Sequence, residues 1–567
     1  MHLSIMKVVL SHGAVFIFCL LLLAPFSSCQ DDAQAPLQVE PPKEPPPAKR
    51  VAVIGAGSAG ASTAYYLRHF TDFFSIPLNI TVYERASYIG GRSTTINLFD
   101  DPAHPIELGA SIFVEANKNL IRASKKFGLK LRDAGFGQPK ESVHRLGVWD
   151  GREFSFLQTR GGVYWWNVFK LLYKYGWAPM KTQNLMKETV NKFLKLYKFP
   201  YFPFQSLSDV AMSTGLAEAT WTSGAEYLKE NGIAEQFARE VIQASTRVNY
   251  GQNLALIHGL ETMVCMATDG AVAVEGGNWQ IFQSMLNASK ATVKLNSPVS
   301  NVVLSDNNTY TVTYEDADDD DFSAEEDTFD HVVIANPYQF SNITLSPPLK
   351  RPLDAPRYVD LHVTIFTSPY KLSPTYFKMP VGSSVPEVVL TTLPPGVKLG
   401  ARTDGVGPAQ FWSISTLEKV QLPASFRQEG VSGGPHYVYK IFSPKPLKAS
   451  FVSDILGIGE AHMLDNDNNV GNETSYSAEQ NIADISTSHI SWYYEKLWQS
   501  YPYLYPRVTF EDIKIAPNLW YTNGMESFIS TMETSSLAGM NVAGLILSEW
   551  VSKFETKLKK YEDGVGV

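Results

Sequence analysis

The residues with the clearest chemical potential lie near the start of the chain, in a short glycine-rich turn that is followed by an acid. The turn consists of Gly55, Ala56, Gly57, Ser58, Ala59 and Gly60. In a G-x-G-x-x-G turn the first glycine permits the tight bend, the second lets the backbone approach a pyrophosphate, and the third lets a helix pack closely on a strand. Glu84 lies 24 residues beyond Gly60 and could accept both hydroxyls of a ribose. This spacing predicts a dinucleotide site that prefers a 2′-hydroxyl to a 2′-phosphate.

Regular elements must surround these residues if they are to bind a dinucleotide. Residues 51–54 form a fully apolar run, as expected of a buried parallel strand. Residues 61–70 favour a helix whose N-terminus would offer unpaired N–H groups and a positive dipole to the phosphates. Residues 80–83 favour a second strand that ends at Glu84. Because a lone glycine motif also occurs in ordinary turns, it is this order of strand, turn, helix, strand and acid that indicates the site.

A second glycine motif follows the acid, in the stretch ERASYIGGR. It contains Glu84, Arg85, Gly90, Gly91 and Arg92. This stretch resembles the flavoprotein group that contains the glutathione reductase-like amine oxidases, the prenylcysteine oxidases and the Rab-escort proteins. The resemblance implies that the loop passes along an FAD, with the arginine near the phosphates. An ordinary glycine turn with a solvated arginine is the alternative.

A third segment, residues 107–111 with the sequence ELGAS, has the acid-x-Gly-Ala form that runs beside the flavin in that group. The resemblance therefore implies that Gly109 and Ala110 contact the cofactor. Glycine at this point would let the backbone approach a ligand closely. A strand end with a turn of small residues remains the alternative.

Composition and processing signals place the chain among exported globular proteins. Residues 1–29 have a positive start at Lys7, an apolar core and small residues before Cys29, as in a signal peptide. An uncleaved anchor and an acylated Cys29 are the alternatives. Residues 30–49 are rich in proline and form a predicted linker. We therefore expect passage through the secretory pathway to the lysosome, the vacuole or the medium.

The remaining 515 or so residues are enough for two interlocked domains. A net charge of −9 argues against a nucleic-acid partner. Cys265 is predicted to be a lone thiol, and the sequence has no CxxC motif or histidine pair that would indicate a metal site. No later stretch is a plausible membrane span. Possible glycosylation sequons begin at Asn79, Asn287, Asn307, Asn342 and Asn472.

The middle of the chain divides into a helical, aromatic part at 160–270 and a part rich in strands at 270–345. The helical part contains one dense polar run, which includes Arg247, Asn249, Tyr250 and Gln252. Polar groups in apolar surroundings need partners. These residues therefore either bind one another or face a substrate head or the flavin edge, and we name them as candidate catalytic residues that position substrate or water.

Further strands and an acidic hairpin tip at 316–330 are predicted before residue 345. After strands near 358–367, 388–392 and 437–442 we expect helices, with Trp492, Tyr493, Leu497 and Trp498 in the core. A last helix is predicted from about Ser535 to Lys559, with Asn541 and Val542 early in it. Its N-terminal dipole would stabilise electron density on a reduced flavin.

Together these patterns predict an α/β fold in which a Rossmann-type FAD-binding domain with a GGR loop is interlocked with an α+β substrate-binding domain. The FAD-binding domain is assigned residues 50–135, 270–345 and 506–560, and the substrate-binding domain residues 136–269 and 346–505. The segment 500–567 contains no cysteine or histidine, so it cannot hold a flavin covalently through a thioether or an imidazole. We therefore expect the FAD to be noncovalent.

The whole set of motifs resembles the prenylcysteine oxidase (prenylcysteine lyase) family over residues 50–560. The more specific matches are RVNYGQ at 247–252, AVEGGN at 273–278, KIFS at 440–443 and NGME with SxME at 523–533. The resemblance implies that Val299 lies by the adenine and that Glu533, Asn541 and Val542 contact the FAD. It also implies the activity of the family: FAD-dependent oxidation of farnesyl- or geranylgeranyl-cysteine by O₂ and water to free cysteine, an isoprenyl aldehyde and hydrogen peroxide.

Other functions on the same fold stay open at this point. They are a secreted FAD amine oxidase, a prenyl-binding escort protein without redox chemistry, and a flavoprotein that binds prenyl groups without catalysis. Peripheral membrane association and the oligomeric state are also left open.

Overall fold

The structure is a computed structural model that describes residues 47–552, except for 134–143, 160–171, 316–323, 398–402, 428–432, 459–475 and 478. The predicted signal peptide and nearly all of the predicted linker lie outside the described residues. So do most of the acidic tip, the sequon at Asn472 and the end of the predicted last helix.

The strands, in chain order, are β1 Lys49–Ile54, β2 Leu78–Tyr83, β3 Thr95–Asn97, β4 Pro105–Glu107, β5 Leu131–Asp133, β6 His144–Trp149, β7 Phe154–Thr159, β8 Val272–Val274, β9 Thr292–Lys294, β10 Val299–Leu304, β11 Tyr310–Glu315, β12 Ala324–Phe329, β13 His331–Ile334, β14 Thr344–Ser346, β15 Tyr358–Ser368, β16 Val388–Thr391, β17 Ser413–Gln421, β18 Pro435–Ser443, β19 Trp492–Pro502, β20 Lys514–Ala516 and β21 Leu519–Tyr521. The helices are α1 Ser58–Phe74, α2 Lys118–Lys126, α3 Ala178–Phe193, α4 Leu207–Thr214, α5 Gly224–Glu230, α6 Glu235–Phe237, α7 Gln243–Tyr250, α8 Gly259–Met266, α9 Trp279–Ser289, α10 Ala449–Leu456 and α11 Met532–Trp550. A π-helical segment, Ala238–Ile242, joins α6 to α7.

A six-stranded sheet in the order β20-β21-β13-β1-β2-β9 carries the glycine turn. Its central strand β1 pairs in parallel with β2 and with β13. Val51 and Val53 face a cluster formed with α1, α9 and α11, whereas Ala52 and Ile54 face the four-stranded sheet β12-β11-β10-β14. Both faces of β1 are therefore covered, which explains why this strand is apolar throughout rather than alternating.

A second, seven-stranded sheet has the order β19-β15-β18-β17-β16-β6-β7. One of its faces packs on a cluster that includes Leu98, Ile106 and Leu108, from the segment that carries β3 and β4. The strands of the six-stranded sheet all come from the segments assigned to FAD binding, and those of the seven-stranded sheet from the segments assigned to the substrate. The domain boundaries themselves stay a prediction.

The prediction of helices after residue 442 is wrong for residues 492–502. Between residues 443 and 505 the described helical segments are α10 and a 3-10 turn, Ile482–Asp484, and β19 is an edge strand that pairs antiparallel with β15. Side-chain exposure alternates along β19, and Tyr493 and Leu497 are 42% and 49% exposed, so they do not belong to the core. Aromatic residues occur in strands as well as in helices, and pairing with β15 makes this segment a strand. Part of the predicted acidic tip, β12, is likewise a strand.

The last helix begins at Met532 rather than at Ser535. Thr531 is its N-cap, and the Thr531 hydroxyl accepts a hydrogen bond from the Thr534 N–H. The predicted position of Asn541 and Val542 early in the helix is therefore wrong, because the earlier start places them beyond two helical turns. Both side chains are enclosed by protein, and the structure does not support their predicted contact with the cofactor.

Asn541 instead ties the last helix to the loop before α4. Its amide oxygen accepts from the Phe204 N–H and its amide nitrogen donates to the Phe204 carbonyl, both at 2.8 Å. We predict that Asn541→Ala lowers the free energy of unfolding by about 3 kcal/mol, because it leaves a buried donor and a buried acceptor without partners. Urea denaturation measures this loss. Ser548→Ala in the same helix is the control and should cost less than about 1 kcal/mol; equal losses would contradict this role for Asn541.

Candidate dinucleotide and flavin site

The glycine turn has the geometry that each of its three glycines must provide. Gly55 has a φ of +110°, a conformation that favours glycine. A Cβ on Gly60 would lie 1.8 Å from the Gly55 carbonyl oxygen, so this glycine permits the close packing of α1 on β1. A Cβ on Gly57 would have no atom within 4 Å. The backbone at Gly57 therefore borders open space at the N-terminus of α1, which suits a bound pyrophosphate.

Glu84 lies beside this turn. One carboxylate oxygen accepts from the Ala56 N–H at 2.8 Å and the other from the Ala86 N–H at 2.9 Å. The carboxylate is partly exposed and keeps lone pairs for ribose hydroxyls. Arg85 is exposed and donates to the Phe340 carbonyl at 2.7 Å, so the structure does not support a cofactor contact through its side chain.

The GGR loop lies directly against the glycine turn. The Gly90 N–H donates to the Ala56 carbonyl at 3.1 Å. A Cβ on Gly91 would lie 3.4 Å from the Gly57 Cα. Two motifs that are distant in sequence thus border one space, as the sequence analysis expects of a loop that passes along a dinucleotide.

The Arg92 side chain has protein partners. One terminal nitrogen donates to the Ser500 carbonyl at 2.7 Å and to Glu526 at 3.0 Å, and the other forms a short bond to Glu526. The Tyr358 hydroxyl also donates to Glu526, at 2.9 Å. The guanidinium charge is therefore balanced within the protein, and the structure does not support its predicted place near the phosphates.

Gly109 and Ala110 lie next to the GGR loop. The Ala110 N–H donates to the Arg92 carbonyl at 3.3 Å, and a Cβ on Gly109 would lie 2.1 Å from that same oxygen. Glycine is needed at position 109 because the backbone of Arg92 comes close. This agrees with the alternative interpretation, in which the segment is a strand end followed by a turn of small residues. A contact with the flavin stays a prediction. So does the contact of Val299, which is buried at the start of β10 in a cluster with Tyr83 and Ile54.

Two of the four candidate catalytic residues bind other parts of the protein. Arg247 is fully buried, stacks on the Trp412 ring at 4.7 Å, and donates to side-chain or carbonyl oxygens of Thr391, Asn253, Gly405 and Val406. Gln252 donates to the Pro502 carbonyl and accepts from the Leu504 N–H. The structure thus does not support substrate contact for Arg247 or Gln252. Asn249 is half-buried and hydrogen-bonds the Cys265 thiol, and its role stays a prediction.

The Glu533 carboxylate caps helix α2, and the glycine turn is not among its hydrogen-bond partners. Its oxygens accept from the N–H groups of Asn119 and Leu120 in the first turn of α2, and from the Tyr197 hydroxyl, at 2.5–3.0 Å. A carboxylate at a helix N-terminus is stabilised by unpaired N–H groups and by the helix dipole. The predicted cofactor contact of Glu533 is therefore not supported.

Glu261 is a buried acid that the sequence analysis missed. It is fully buried in α8, and one carboxylate oxygen accepts from the Ser530 N–H at 3.3 Å. The Tyr250 hydroxyl interacts with Glu261 and donates to the Ser530 carbonyl at 3.2 Å. Burial raises the pKa of Glu261 to about 8, so the acid is mainly protonated at neutral pH. In the sequence it looks like an ordinary acid in the first turn of a helix.

Tyr250 and Glu261 therefore hold the Ser530 peptide from both sides, immediately before the N-cap of α11. The Ser58 hydroxyl, in the glycine turn, donates to the Met532 carbonyl at 2.6 Å. The start of α11 is thus fixed between the dinucleotide turn and the Tyr250–Glu261 pair. The predicted role of Tyr250 in positioning substrate or water stays a prediction.

Among the described residues Cys265 is a free, buried thiol. No cluster of three or more His, Cys, Asp or Glu side chains in the same part of the chain could hold a metal ion. No described helix is both long enough and apolar enough to span a bilayer.

The two glycines of the turn allow a matched test of the site. We predict that Gly60→Ala prevents stable folding, because its Cβ would collide with backbone. Gly57→Ala should keep the midpoint of thermal unfolding of the apoprotein within about 3 °C, yet abolish dinucleotide retention by filling the space at the N-terminus of α1. Differential scanning fluorimetry and cofactor absorbance after desalting measure both. A Gly57→Ala protein that retains cofactor would contradict the assignment.

Glu261 gives a pH-dependent prediction. Because its folded pKa lies above its ordinary value of 4.5, the acid ionises more readily in the unfolded chain, and it lowers stability progressively as pH rises from about 4.5 to 8. We predict that Glu261→Gln, which keeps the hydrogen bonds without a titrating group, removes this part of the loss. Chemical denaturation of both proteins from pH 5 to 9 measures it.

Glu107 also titrates with a raised pKa, but it is present in both proteins and cancels in the difference. Glu261→Ala should be destabilised at every pH by about 2–4 kcal/mol, since it leaves the Ser530 N–H unpaired and opens a cavity. A Glu261→Gln protein as unstable at pH 5 as Glu261→Ala would show that the acid is ionised.

Comparisons with known proteins agree with this arrangement. The family model described as prenylcysteine lyase matches residues 158–558, and the model described as an NAD(P)-binding Rossmann-like domain matches residues 53–127. Farnesylcysteine lyase of Arabidopsis thaliana is 28% identical over 89% of this chain and 89% of the relative. Prenylcysteine oxidase 1 is 28% identical in Mus musculus, over 90% of both chains, and 26% identical in Homo sapiens, over 89% of this chain and 90% of the relative.

Among solved structures, putrescine oxidase bound to putrescine has a TM-score of 0.50 at 13% identity and covers 88% of this chain and 100% of that one. Cyclohexylamine oxidase from Brevibacterium oxydans IH-35A has a TM-score of 0.50 at 15% identity, over 89% and 100%. At such identities the likeness shows the fold alone, and it confirms the predicted α/β Rossmann-type class. Because the first family model spans most of the sequence, this chain belongs to the prenylcysteine lyase family.

Proposed function

We propose that the protein is an FAD-dependent oxidase that cleaves the thioether of prenyl-L-cysteines. Farnesyl- or geranylgeranyl-cysteine, O₂ and water would give free cysteine, the isoprenyl aldehyde and hydrogen peroxide. The observation that carries the proposal is the open space at Gly57, bordered by Glu84 and the GGR loop, in a chain that matches the prenylcysteine lyase family over residues 158–558.

Several features support FAD as the dinucleotide. The space at Gly57 has room for a pyrophosphate, and Glu84 can accept ribose hydroxyls. The buried Ser93 Oγ and Asn336 Oδ1, next to the GGR loop and to the glycine turn, have no hydrogen-bond partner among the described residues, and a buried polar atom of this kind needs one. The absence of cysteine and histidine from 500–567 supports noncovalent binding through this part of the chain.

In the proposed reaction the protein mainly orients the substrate, and the cofactor supplies the redox chemistry. When bound, FAD supplies the hydride acceptor. Loss of hydride from the prenyl C1 leaves a cation that sulfur and the allylic double bond stabilise, so no strong base is required before water adds. The chain must then orient the substrate and enclose its tail. At ~0.8 kcal/mol per buried CH₂, a tail of roughly 15–20 carbons could provide micromolar binding after association costs.

Exposed sequons support the proposed route through the secretory pathway. The asparagines at 79, 287, 307 and 342 are all exposed, as the glycosylating enzyme requires. Asn79 lies at the start of β2, where the neighbouring strand β9 does not reach it, since β9 pairs only from Thr81 onward. The final compartment is proposed to be the lysosome, the vacuole or the medium.

The decisive experiment mixes the purified protein with farnesylcysteine in the absence of air and follows flavin absorbance. We predict bleaching with formation of one equivalent of farnesal, because water and not O₂ completes the cleavage, and on admission of air reoxidation of the flavin with one equivalent of peroxide. An S-alkylcysteine with a saturated tail of equal length is the control: it should bind but not bleach the flavin, because its cation lacks allylic stabilisation.

A colourless protein, or one that stays oxidised with farnesylcysteine, would contradict the proposal. Bleaching by simple amines instead would indicate an amine oxidase, and a yellow protein inert to both would indicate a non-catalytic flavoprotein.

A further inference from the structure

Lys440 is a buried, charged residue outside the glycine turn and the GGR loop. It lies in β18, near the middle of the seven-stranded sheet, and is only 8% exposed. It pairs with Ile365 of β15, and residues directly opposite in a sheet share a face. Ile365 belongs to the apolar cluster with Leu108 that packs this sheet against the segment that carries β3 and β4. An ammonium group in such a layer is costly unless polar groups meet it.

The groups that meet Lys440 come from one segment, residues 107–111. The ammonium donates to the Glu107 carbonyl at 2.5 Å and to the Ser111 hydroxyl at 3.4 Å. The Glu107 carboxylate accepts from the Asn278 N–H at 2.6 Å, and the Asn278 amide donates to the Ala110 carbonyl at 3.0 Å. The segment is therefore held by Lys440 from the seven-stranded sheet and by Asn278 from the start of α9.

This segment is continuous with the dinucleotide turn. Ala110 hydrogen-bonds the Arg92 carbonyl, and Gly91, just before it, contacts Gly57. Glu84 marks the side of the turn on which the adenosine ribose is expected. The other half of a dinucleotide must leave the turn elsewhere, and the GGR loop and residues 107–111 lie beside the turn. Lys440 contacts residues 107–111 from the seven-stranded sheet.

We propose that Lys440 is a positioning residue of the oxidase: it fixes residues 107–111 as a wall of the flavin ring site and supplies the positive charge that favours added electron density on the ring. The inference rests on the proposed function. Hydride transfer delivers two electrons and one proton, so the ring gains negative charge unless a second proton follows. A cation held nearby in a region of low dielectric stabilises that charge.

The titration of the pair is consistent with this role. Burial lowers the pKa of Lys440 to about 8, against the opposing effect of Glu107, and burial raises the pKa of Glu107 to about 7. The charged group that also acts on Glu107 is Arg132. The pair therefore has a net charge of +1 at acidic pH, becomes neutral when Glu107 ionises near pH 7, and becomes negative when Lys440 loses its proton near pH 8.

Sulfite provides a test that does not depend on turnover, because it adds reversibly to oxidised flavin and leaves negative charge on the ring. In the holoenzyme at about pH 6.5, we expect Lys440→Gln to weaken sulfite binding by about tenfold or more. This substitution retains a donor for the Glu107 carbonyl but has no charge. Lys440→Arg should stay within about threefold of the wild type. Lys496→Met is the matched control, since Lys496 lies on the edge strand of the same sheet against Trp498, and should leave the affinity unchanged.

The pH profile gives a second measurement that needs no destabilising variant. Affinity for the sulfite dianion should fall in the wild type as pH rises through about 7 and 8, and the step near 8 should disappear in Lys440→Arg, whose charge persists. A flavin-bearing Lys440→Gln protein with wild-type sulfite affinity, or a Lys440→Arg profile that keeps the step near 8, would overturn the inference alone. A wild-type protein purified without flavin would overturn the proposed function and this inference with it.

Discussion

The close contact between the first and last described helices is the constraint on which the rest of the structure depends. A Cβ on Gly539 of α11 would lie 2.2 Å from the Ala59 carbonyl of α1, so only glycine allows this approach. Ser62 and Ser536 hydrogen-bond across the same interface at 2.7 Å. Small residues thus bring two helices from opposite ends of the chain together. The same contact places the start of α11 against the glycine turn, where Ser58 reaches Met532.

Buried polar groups extend this constraint to the seven-stranded sheet and to the helices around it. Glu526 joins Arg92 to Tyr358, Glu533 holds α2, and Glu261 holds the peptide before α11. Each of these acids comes from a different place in the sequence than its partners. Burying an acid without partners costs several kcal/mol, so each acid selects the arrangement in which its partners are present. These groups therefore specify how the elements around the turn are placed, whatever they add to stability.

This difference between local and distant partners explains what the sequence could and could not predict. The glycine turn and Glu84 were predictable because spacing within one strand–turn–helix–strand unit determines their geometry. Glu533 was assigned to the cofactor because the family resemblance implied it, yet its partners are on α2 and at Tyr197. β19 was assigned as helical because its aromatic residues fit either structure, and the deciding partner, β15, lies more than a hundred residues earlier. Long-range pairing left no local pattern in either case.

The buried ionisable groups around the turn also bear on the kind of catalysis that the site can support. Burial holds Glu261 mainly protonated at neutral pH, and it brings the pKa values of Glu107 and Lys440 towards neutrality. Glu261 is not a base poised to remove a proton from carbon, because it is mainly protonated at neutral pH, and the Glu107 and Lys440 side chains are engaged by Asn278 and by residues 107–111. Oxidation by hydride loss from a carbon next to sulfur needs no such base. It needs a fixed geometry and a favourable electrostatic environment, and a site built from backbone contacts and buried, hydrogen-bonded charges provides those two properties.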